Sequence, residues 1–169
     1  MDFIIREVKN DPEEIAAVKE FLYNQIMIEY GIGPMPKFHF DIEGIVDYYI
    51  LPDNSNFYIA LDGDKIVATA AVRAYDRDYD FFKDAYSKED TASIWRLMVD
   101  EKYRRHGLAR RLVTNIEEFA KNAGYDKIYL NTHRYLESGI PFWTSGGYEI
   151  TVEEDDYDET THMVKYLTE

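Results

Sequence analysis

The stretch that most constrains the fold of this chain is a strand that runs through a basic turn into a helix and on to a second strand. SIWRLMV (Ser93–Val99) is a strand-like apolar run, and DEKYRRHG follows it. From Leu108 to Ala120 the apolar residues Leu108, Leu112, Ile116 and Phe119 recur at helical spacing, and Ala123-Gly124 closes that helix. KIYLNTH (Lys127–His133) is the next strand. Two strands joined by a helix are parallel neighbours with a right-handed crossover, because an antiparallel pair needs only a short turn.

The flanking sequence surrounds that pair with antiparallel partners. DFIIREV (Asp2–Val8) alternates like a strand, and Asp11-Pro12-Glu13-Glu14 reads as a helix cap with proline at the first position. Ile15, Val18, Leu22, Ile26 and Tyr30 continue at helical spacing. GIGPMPKF (Gly31–Phe38) is a loop, after which Asp41 is expected to cap a short helix bearing Ile42, Ile45, Val46 and Tyr49. Phe57–Leu61 and Lys65–Arg73 are strands around an Asp62-Gly63 hairpin turn. The polar stretch from Tyr75 to Asp90 has no clear pattern beyond a helical turn near Phe81, Phe82 and Tyr86. A short helix from Leu136 to Trp143 ends before Gly146-Gly147, and Tyr148–Val152 and Thr161–Leu167 form a last hairpin around EEDDYDE. The expected fold is α/β in the α+β sense: a single mixed, mostly antiparallel sheet with a central parallel pair, flanked by helices. One domain over residues 1–169 is expected, since the chain shows neither repeat nor linker.

Composition narrows the function classes. Cysteine is absent, so disulfides and thiolate chemistry are excluded, and an intracellular, cytoplasmic setting is expected. No apolar run is long enough to span a membrane, and no secretory signal is read at the N-terminus. The four histidines show no short helical pairing, so no metal is expected. With 33 acidic residues against 19 basic ones, general affinity for nucleic-acid backbones is not expected.

Against that background, five of the nine arginines lie between Arg96 and Arg111. They gather where a strand feeds a helix, and the first N–H groups of a helix have no partners inside it. Those donors, the helix dipole and nearby guanidinium groups together form an anion site. Gly107 removes a side chain where a phosphate would meet the backbone, and Ala109 is small. A solvated helix face is the plain alternative. Neither a GxxxxGK loop nor a GxGxxG loop is present, so a nucleotide-hydrolysing or dinucleotide site is not indicated.

Arg104-x-x-Gly107-x-Ala109 resembles the acetyl-CoA pyrophosphate loop of the GNAT superfamily of N-acetyltransferases, whose signature is Gln or Arg, two residues, Gly, one residue, then Gly or Ala. The longer run RLMVDEKYRRHGLARRLV and the order of elements extend the resemblance over most of the chain. It implies the GNAT-like acyl-CoA N-acyltransferase fold, whose central parallel strands splay to admit the pantetheine arm. It implies that backbone groups of Leu97, Met98 and Val99 pair with that arm. The N–H groups of Arg105, His106, Gly107, Leu108, Ala109 and Arg110 would cradle the pyrophosphate, with Arg104 beside them. A backbone N–H near Val99 would polarise the acetyl carbonyl. The implied activity is transfer of an acetyl group from acetyl-CoA, as cosubstrate, to a primary amine of a small molecule or peptide by direct attack in a ternary complex.

The family's usual acid is absent. Many members place a tyrosine where LESGIPFWTSGGY has Trp143, and an indole cannot supply a proton as a phenol does. Trp143 is expected either to touch the coenzyme or to pack in the core. That leaves His133 and Tyr135, at the end of a parallel strand, as acid–base candidates. Substrate-side residues are expected at Tyr30, His39, Arg73 and Tyr75, with Gly31–Phe38 as a lid or a rigid connector. His162 reads as a surface or packing residue, and so does His39 on the plainer alternative. Glu153–Glu159 holds six carboxylates in seven residues, which suits a cationic amine and equally a solvated hairpin tip. The partners expected are therefore acetyl-CoA and an amine, with no nucleic acid and no membrane, in a monomer or homodimer. The competing accounts are a non-catalytic acetyl-CoA- or CoA-binding protein of the same fold and a nucleic-acid module built on the arginines.

Overall fold

A computed structural model describes residues 2–167 of the chain. It contains the strands β1 (Ile4–Glu7), β2 (Asn56–Asp62), β3 (Lys65–Ala74), β4 (Thr91–Val99), β5 (Lys127–His133), β6 (Glu149–Glu153) and β7 (Thr160–Tyr166). The α-helices are α1 (Pro12–Tyr30), α2 (Pro36–Glu43), α3 (Leu108–Asn122) and α4 (Gly139–Ser145). The strands form one mixed sheet in the order β1-β2-β3-β4-β5-β7-β6. Its parallel pair is β4 with β5, registered from Thr91 opposite Lys127 to Ser93 opposite Tyr129. This is the expected GNAT-like fold.

The chain forms two compact units, one of residues up to Arg73 with Trp95–Ile116, the other of Ala74–Ile94 with Glu117 onward. Strand β4 and helix α3 each contribute to both.

In the first unit, α1 begins as its sequence dictates. Asp11 accepts from the Glu14 N–H, and Gly31, at φ 68°, ends the helix in a left-handed cap. The predicted stripe is buried at Val18, Leu22 and Ile26, joined by Phe21, whereas Tyr30 is exposed. These side chains pack with Ile42, Ile45, Tyr49, Phe57, Ile59 and Ala71. Each fully buried aliphatic of this kind contributes roughly 1.5–3 kcal/mol. The hairpin β2–β3 turns at Gly63 (φ 61°), with Asp62 opposite Lys65, as expected.

Two details of this unit correct the sequence reading. Asp41 does not cap a helix. Proline at position 36 starts α2 five residues earlier, so Asp41 lies inside α2 and is wholly buried. The strand Ser93–Val99 is not uniform either: Arg96 sits at φ 54°, a left-handed conformation inside β4 of the kind found in β-bulges.

In the second unit β5 pairs antiparallel with β7, and β7 with β6. The unassigned segment 75–90 contains a short 3-10 turn at Asp80–Phe82. Its rings pack on β5: Tyr75 and Phe82 enclose Tyr129 in a small aromatic core flanked by Tyr79, Tyr86 and Val152.

Candidate active site

The basic turn lies in the first unit. Asp100 accepts from the Lys102 N–H and starts a 3-10 turn, Glu101–Tyr103. Tyr103 is fixed by its hydroxyl on Asp62 (2.8 Å) and by the Phe3 ring, whose other neighbour is His106. Arg105 then takes φ 68° and Gly107 φ 76°, and α3 starts at the next residue. Left-handed residues spaced this closely reverse the backbone and turn successive N–H groups to one side, the geometry of an anion nest. A side chain added at Gly107 would meet no atom within 4 Å. Arg104, Arg105, His106 and Gly107 are exposed, Ala109 and Arg110 are half-buried, and only Leu108 points into the core. Arg110 and Arg111 border a depression of about 330 Å3 with Ile5, Thr114 and Asn115. The turn thus offers backbone donors and guanidinium groups to one anionic ligand. Leu97, Met98 and Val99 precede it at the half-buried end of β4, and the Val99 carbonyl accepts from Arg104 Nε.

Of the expected substrate-side residues of this unit, Arg73 is built into a buried ionic cluster. Asp41 takes two hydrogen bonds from Arg96, Nη2 at 2.6 Å and Nε at 3.0 Å, and one from the Tyr49 hydroxyl at 2.6 Å. Arg73 donates to the Tyr49 oxygen and lies over the Trp95 ring at 3.9 Å. Burial by itself would raise the Asp41 carboxyl; the Arg96 hydrogen bonds and charge outweigh it, and Asp41 is held below the usual carboxylate range. The left-handed turn of Arg96 belongs to this cluster: Thr69 Oγ1 bonds its carbonyl, and its guanidinium also reaches the Phe38 carbonyl. His39 is buried and its Nδ1 accepts from the Met35 N–H, which places its proton on Nε2. Tyr30 stays exposed at the end of α1. The sequence offered Arg73 and His39 as substrate contacts; the structure shows both held by neighbours.

The remaining candidates belong to the second unit. His133 is half-buried at the end of β5, donates Nδ1–H to the Asp158 carbonyl over 2.8 Å and stacks on Tyr135. Nε2 is then its basic atom. Trp143 is buried, edge-on to Phe142 and Tyr148, and Tyr148 is fixed in turn by Glu117. Tyr75 is buried, and burial pushes its phenol up to about 12.

Three residues to which sequence reading gave no chemical role form a hydrogen-bonded chain in this unit. His162, fully buried on β7, meets the Tyr129 hydroxyl through Nδ1 and the Glu154 carboxylate through Nε2, each over 2.6 Å. Asn131 donates to the same Tyr129 oxygen. Tyr129, Asn131 and His133 share one face of β5 by strand alternation, and His162 stands directly opposite Asn131. That alternation was the available signal; the partner strand was not. Among the described residues, no group of acidic and histidine side chains is arranged to hold a metal ion. No helix among them is long and apolar enough to cross a membrane.

Comparison with known proteins decides the family, since residues 19–148 match the acetyltransferase (GNAT) family. The chain belongs to it. Curated relatives include human N-acetyltransferase 8, 27% identical over 111 residues, and rat N-acetylaspartate synthetase, 27% identical over 146 residues. The matches cover 66% and 86% of this chain but 46% and 44% of those relatives, so it spans less than half their length. Among solved structures, an acetyltransferase of the GNAT family from Staphylococcus aureus Mu50 superposes with a TM-score of 0.79 at 18% identity, covering 99% of this chain and 100% of that one. The PaiA N-acetyltransferase of Thermoplasma acidophilum, solved with coenzyme A, gives 0.69 at 16% identity over 98% and 99%. These likenesses show the fold.

Proposed function

We infer that this protein is an acetyl-CoA-dependent N-acetyltransferase acting on a primary amine. The observation that carries the reading is the exposed basic turn Arg104–Arg110, with left-handed residues at 105 and 107 and the start of α3 directly behind it. In a chain of net charge -14, four arginines within eight positions at a helix N-terminus are chemistry for a polyphosphate. Bound there, acetyl-CoA would supply the activated acyl group as a thioester. Arg105 to Arg110 would hold its pyrophosphate through backbone N–H groups, and Leu97 to Val99 would pair with the pantetheine amides as an added strand edge. A fixed thioester leaves positioning of the amine and removal of its proton as the main tasks of the protein. His133 and Tyr135 are the candidates that sequence offers for the proton. The relatives named above, an N-acetyltransferase and an N-acetylaspartate synthetase, support an amine acceptor.

One observation favours a second reading. Trp143 takes the place of the family phenol and is packed against Phe142 and Tyr148, which suits a protein that binds coenzyme A without turning it over. Calorimetry with acetyl-CoA, followed by mass detection of acetylated products from a panel of amines and peptides, tests both. Acetylated amine establishes the enzyme; tight binding with no product on any acceptor establishes the binding protein.

A further inference from the structure

His162, wholly buried on β7, is held from three sides by elements of the second unit. The Tyr129 hydroxyl of β5 meets Nδ1, and Glu154 of the β6–β7 hairpin meets Nε2, each over 2.6 Å. A carboxylate only accepts, so Nε2–H donates to Glu154 and the neutral ring takes the Tyr129 O–H at Nδ1. The third side is segment 75–90, whose Tyr79, Phe81 and Phe82 rings stand 4.7, 5.2 and 5.2 Å from the imidazole. Tyr75, Phe82 and Tyr86 of the same segment cover Tyr129. The segment folds back on itself, with the Phe82 N–H on the Tyr79 carbonyl and the Ala85 N–H on that of Phe82. It is a cap of aromatic rings laid on a strand pair that is itself laddered from Lys127 to His133.

A second proton changes what this site can bond. It would enter at Nδ1, turning that atom from an acceptor into a donor. Glu154 keeps its bond in either state, but the Tyr129 O–H loses its acceptor, and the Tyr129 oxygen already accepts from Asn131. The cation would also stand behind rings that shut out water. An unpaired phenol and a desolvated charge both favour a state in which water enters. The β5–β7 ladder is the stiffer wall, so the cap is the one that gives way. An independent observation shows that the closed cap already lacks polar partners. The Tyr75 hydroxyl, in a side chain 6% exposed, has no hydrogen-bond partner among the described residues. Lifting the cap hydrates it, which offsets part of the aromatic contact that is lost.

We propose that segment 75–90 is an acid-sensitive latch, closed over His162 while the ring is neutral and loosened when the ring takes a proton from solvent. The latch lies within the second unit and is independent of acetyl-CoA. The groups facing His162 are Tyr129 from β5, Glu154 and Asp156 from the β6–β7 hairpin, and Tyr79 and Arg77 from the segment. Burial, opposed by Glu154, holds the closed ring below its ordinary value. The sign follows: a base whose closed-state value is depressed favours opening as pH falls. Opening should grow by up to about tenfold per pH unit, starting near pH 6.5 and levelling off at the closed-state value.

The test follows the full chain, without acetyl-CoA, from neutral to mildly acid pH. NMR titration of the His162 ring is read beside hydrogen exchange of the Phe82, Ala85 and Tyr86 amides, corrected at each pH for the intrinsic rate. In the parent, protection of these amides should fall from about pH 6.5 and level off at the His162 midpoint. The Leu130 and Asn131 amides of β5 should keep theirs, because the ladder with β7 stays intact. Glu154→Gln, at the 29% exposed end, still accepts from Nε2–H but removes the charge that favours the imidazolium. Its His162 midpoint and the levelling of cap exchange should move together to lower pH. His162→Gln, neutral throughout, should lose the acid response; if that variant does not fold, the joint shift in Glu154→Gln decides alone. Cap exchange that ignores pH overturns the latch, as do midpoints that part in Glu154→Gln or an acid response kept by folded His162→Gln. Equal loss of protection on β5 overturns it too, since the unit would then be unfolding as a whole.

Discussion

Arg96, in a left-handed conformation within β4, forms a bidentate pair with the wholly buried Asp41 of α2, Nη2 to Oδ1 at 2.6 Å and Nε to Oδ2 at 3.0 Å. A non-glycine residue at that φ costs roughly 1–2 kcal/mol. The strain persists because the reversal delivers the guanidinium to a buried carboxylate, giving it two charge-assisted hydrogen bonds beside the Tyr49 hydroxyl and the Arg73 charge.

Asp41→Asn should therefore destabilise the protein by about 3–5 kcal/mol, since it leaves buried guanidinium charge without its partner. Urea denaturation measures this. A carboxyl whose folded pKa is depressed contributes stability above its unfolded value, and the contribution is lost as pH falls through the folded one. The difference between parent and variant should thus be full at neutral pH and shrink below about pH 4, from the direction of that shift and the ordinary carboxylate pKa.

Gly107→Glu should abolish acetyl-CoA binding with only a small loss of stability. The position is exposed and an added Cβ meets no atom within 4 Å, so the stability cost is chiefly the φ of 76°, about 1 kcal/mol. The new carboxylate would stand in the phosphate cradle. Arg104→Ala should weaken binding about tenfold, because the backbone donors remain. Unchanged affinity of Gly107→Glu by calorimetry removes the phosphate site.

The acidic hairpin divides into carboxylates with side-chain partners and carboxylates with none among the described residues. Glu154 holds His162 and Asp156 holds the N–H and hydroxyl of Thr160. Neutralising Glu153, Asp155 and Asp158 together should leave coenzyme affinity unchanged and raise the KM of a cationic acceptor about threefold, less so in high salt. An equal loss of coenzyme affinity would contradict the assignment of the turn at Gly107 as the anion site.

Trp143→Tyr should lower the melting temperature rather than restore a lost acid. The indole is buried between Phe142 and Tyr148, and a smaller ring there should cost about 1–2 kcal/mol. Acetyl transfer measured beside thermal unfolding separates the two effects. A faster enzyme with parental stability would show that the side chain faces the reaction.

Sequence pattern located the strands because alternation and helical spacing report burial, and β5 has the predicted bounds, Lys127–His133. The reversal at Arg96 was not legible, since periodicity counts side chains and carries no sign of φ. Asp41 was misread because aspartate is a common helix cap, and nothing local distinguishes a capping carboxylate from one paired with a guanidinium 55 residues away. The hydrogen-bonded chain Tyr129–His162–Glu154 stayed hidden for a related reason. His162 meets Tyr129 only through the pairing of β5 with β7, and Glu154 lies in a run of carboxylates that reads as solvated surface. Segment 75–90 lacked any period because its rings pack on a strand instead of forming one.

The chain has two tryptophans, and each compact unit holds one: Trp95, half-buried under the Arg73 guanidinium, and Trp143, buried beside Tyr148. Each unit thus carries its own fluorophore, in unlike surroundings. Replacing one with phenylalanine leaves an emission signal from the other unit alone. Coincident transitions in the two single-tryptophan variants would mean that the halves melt as one cooperative body, and separate ones that they melt in two steps.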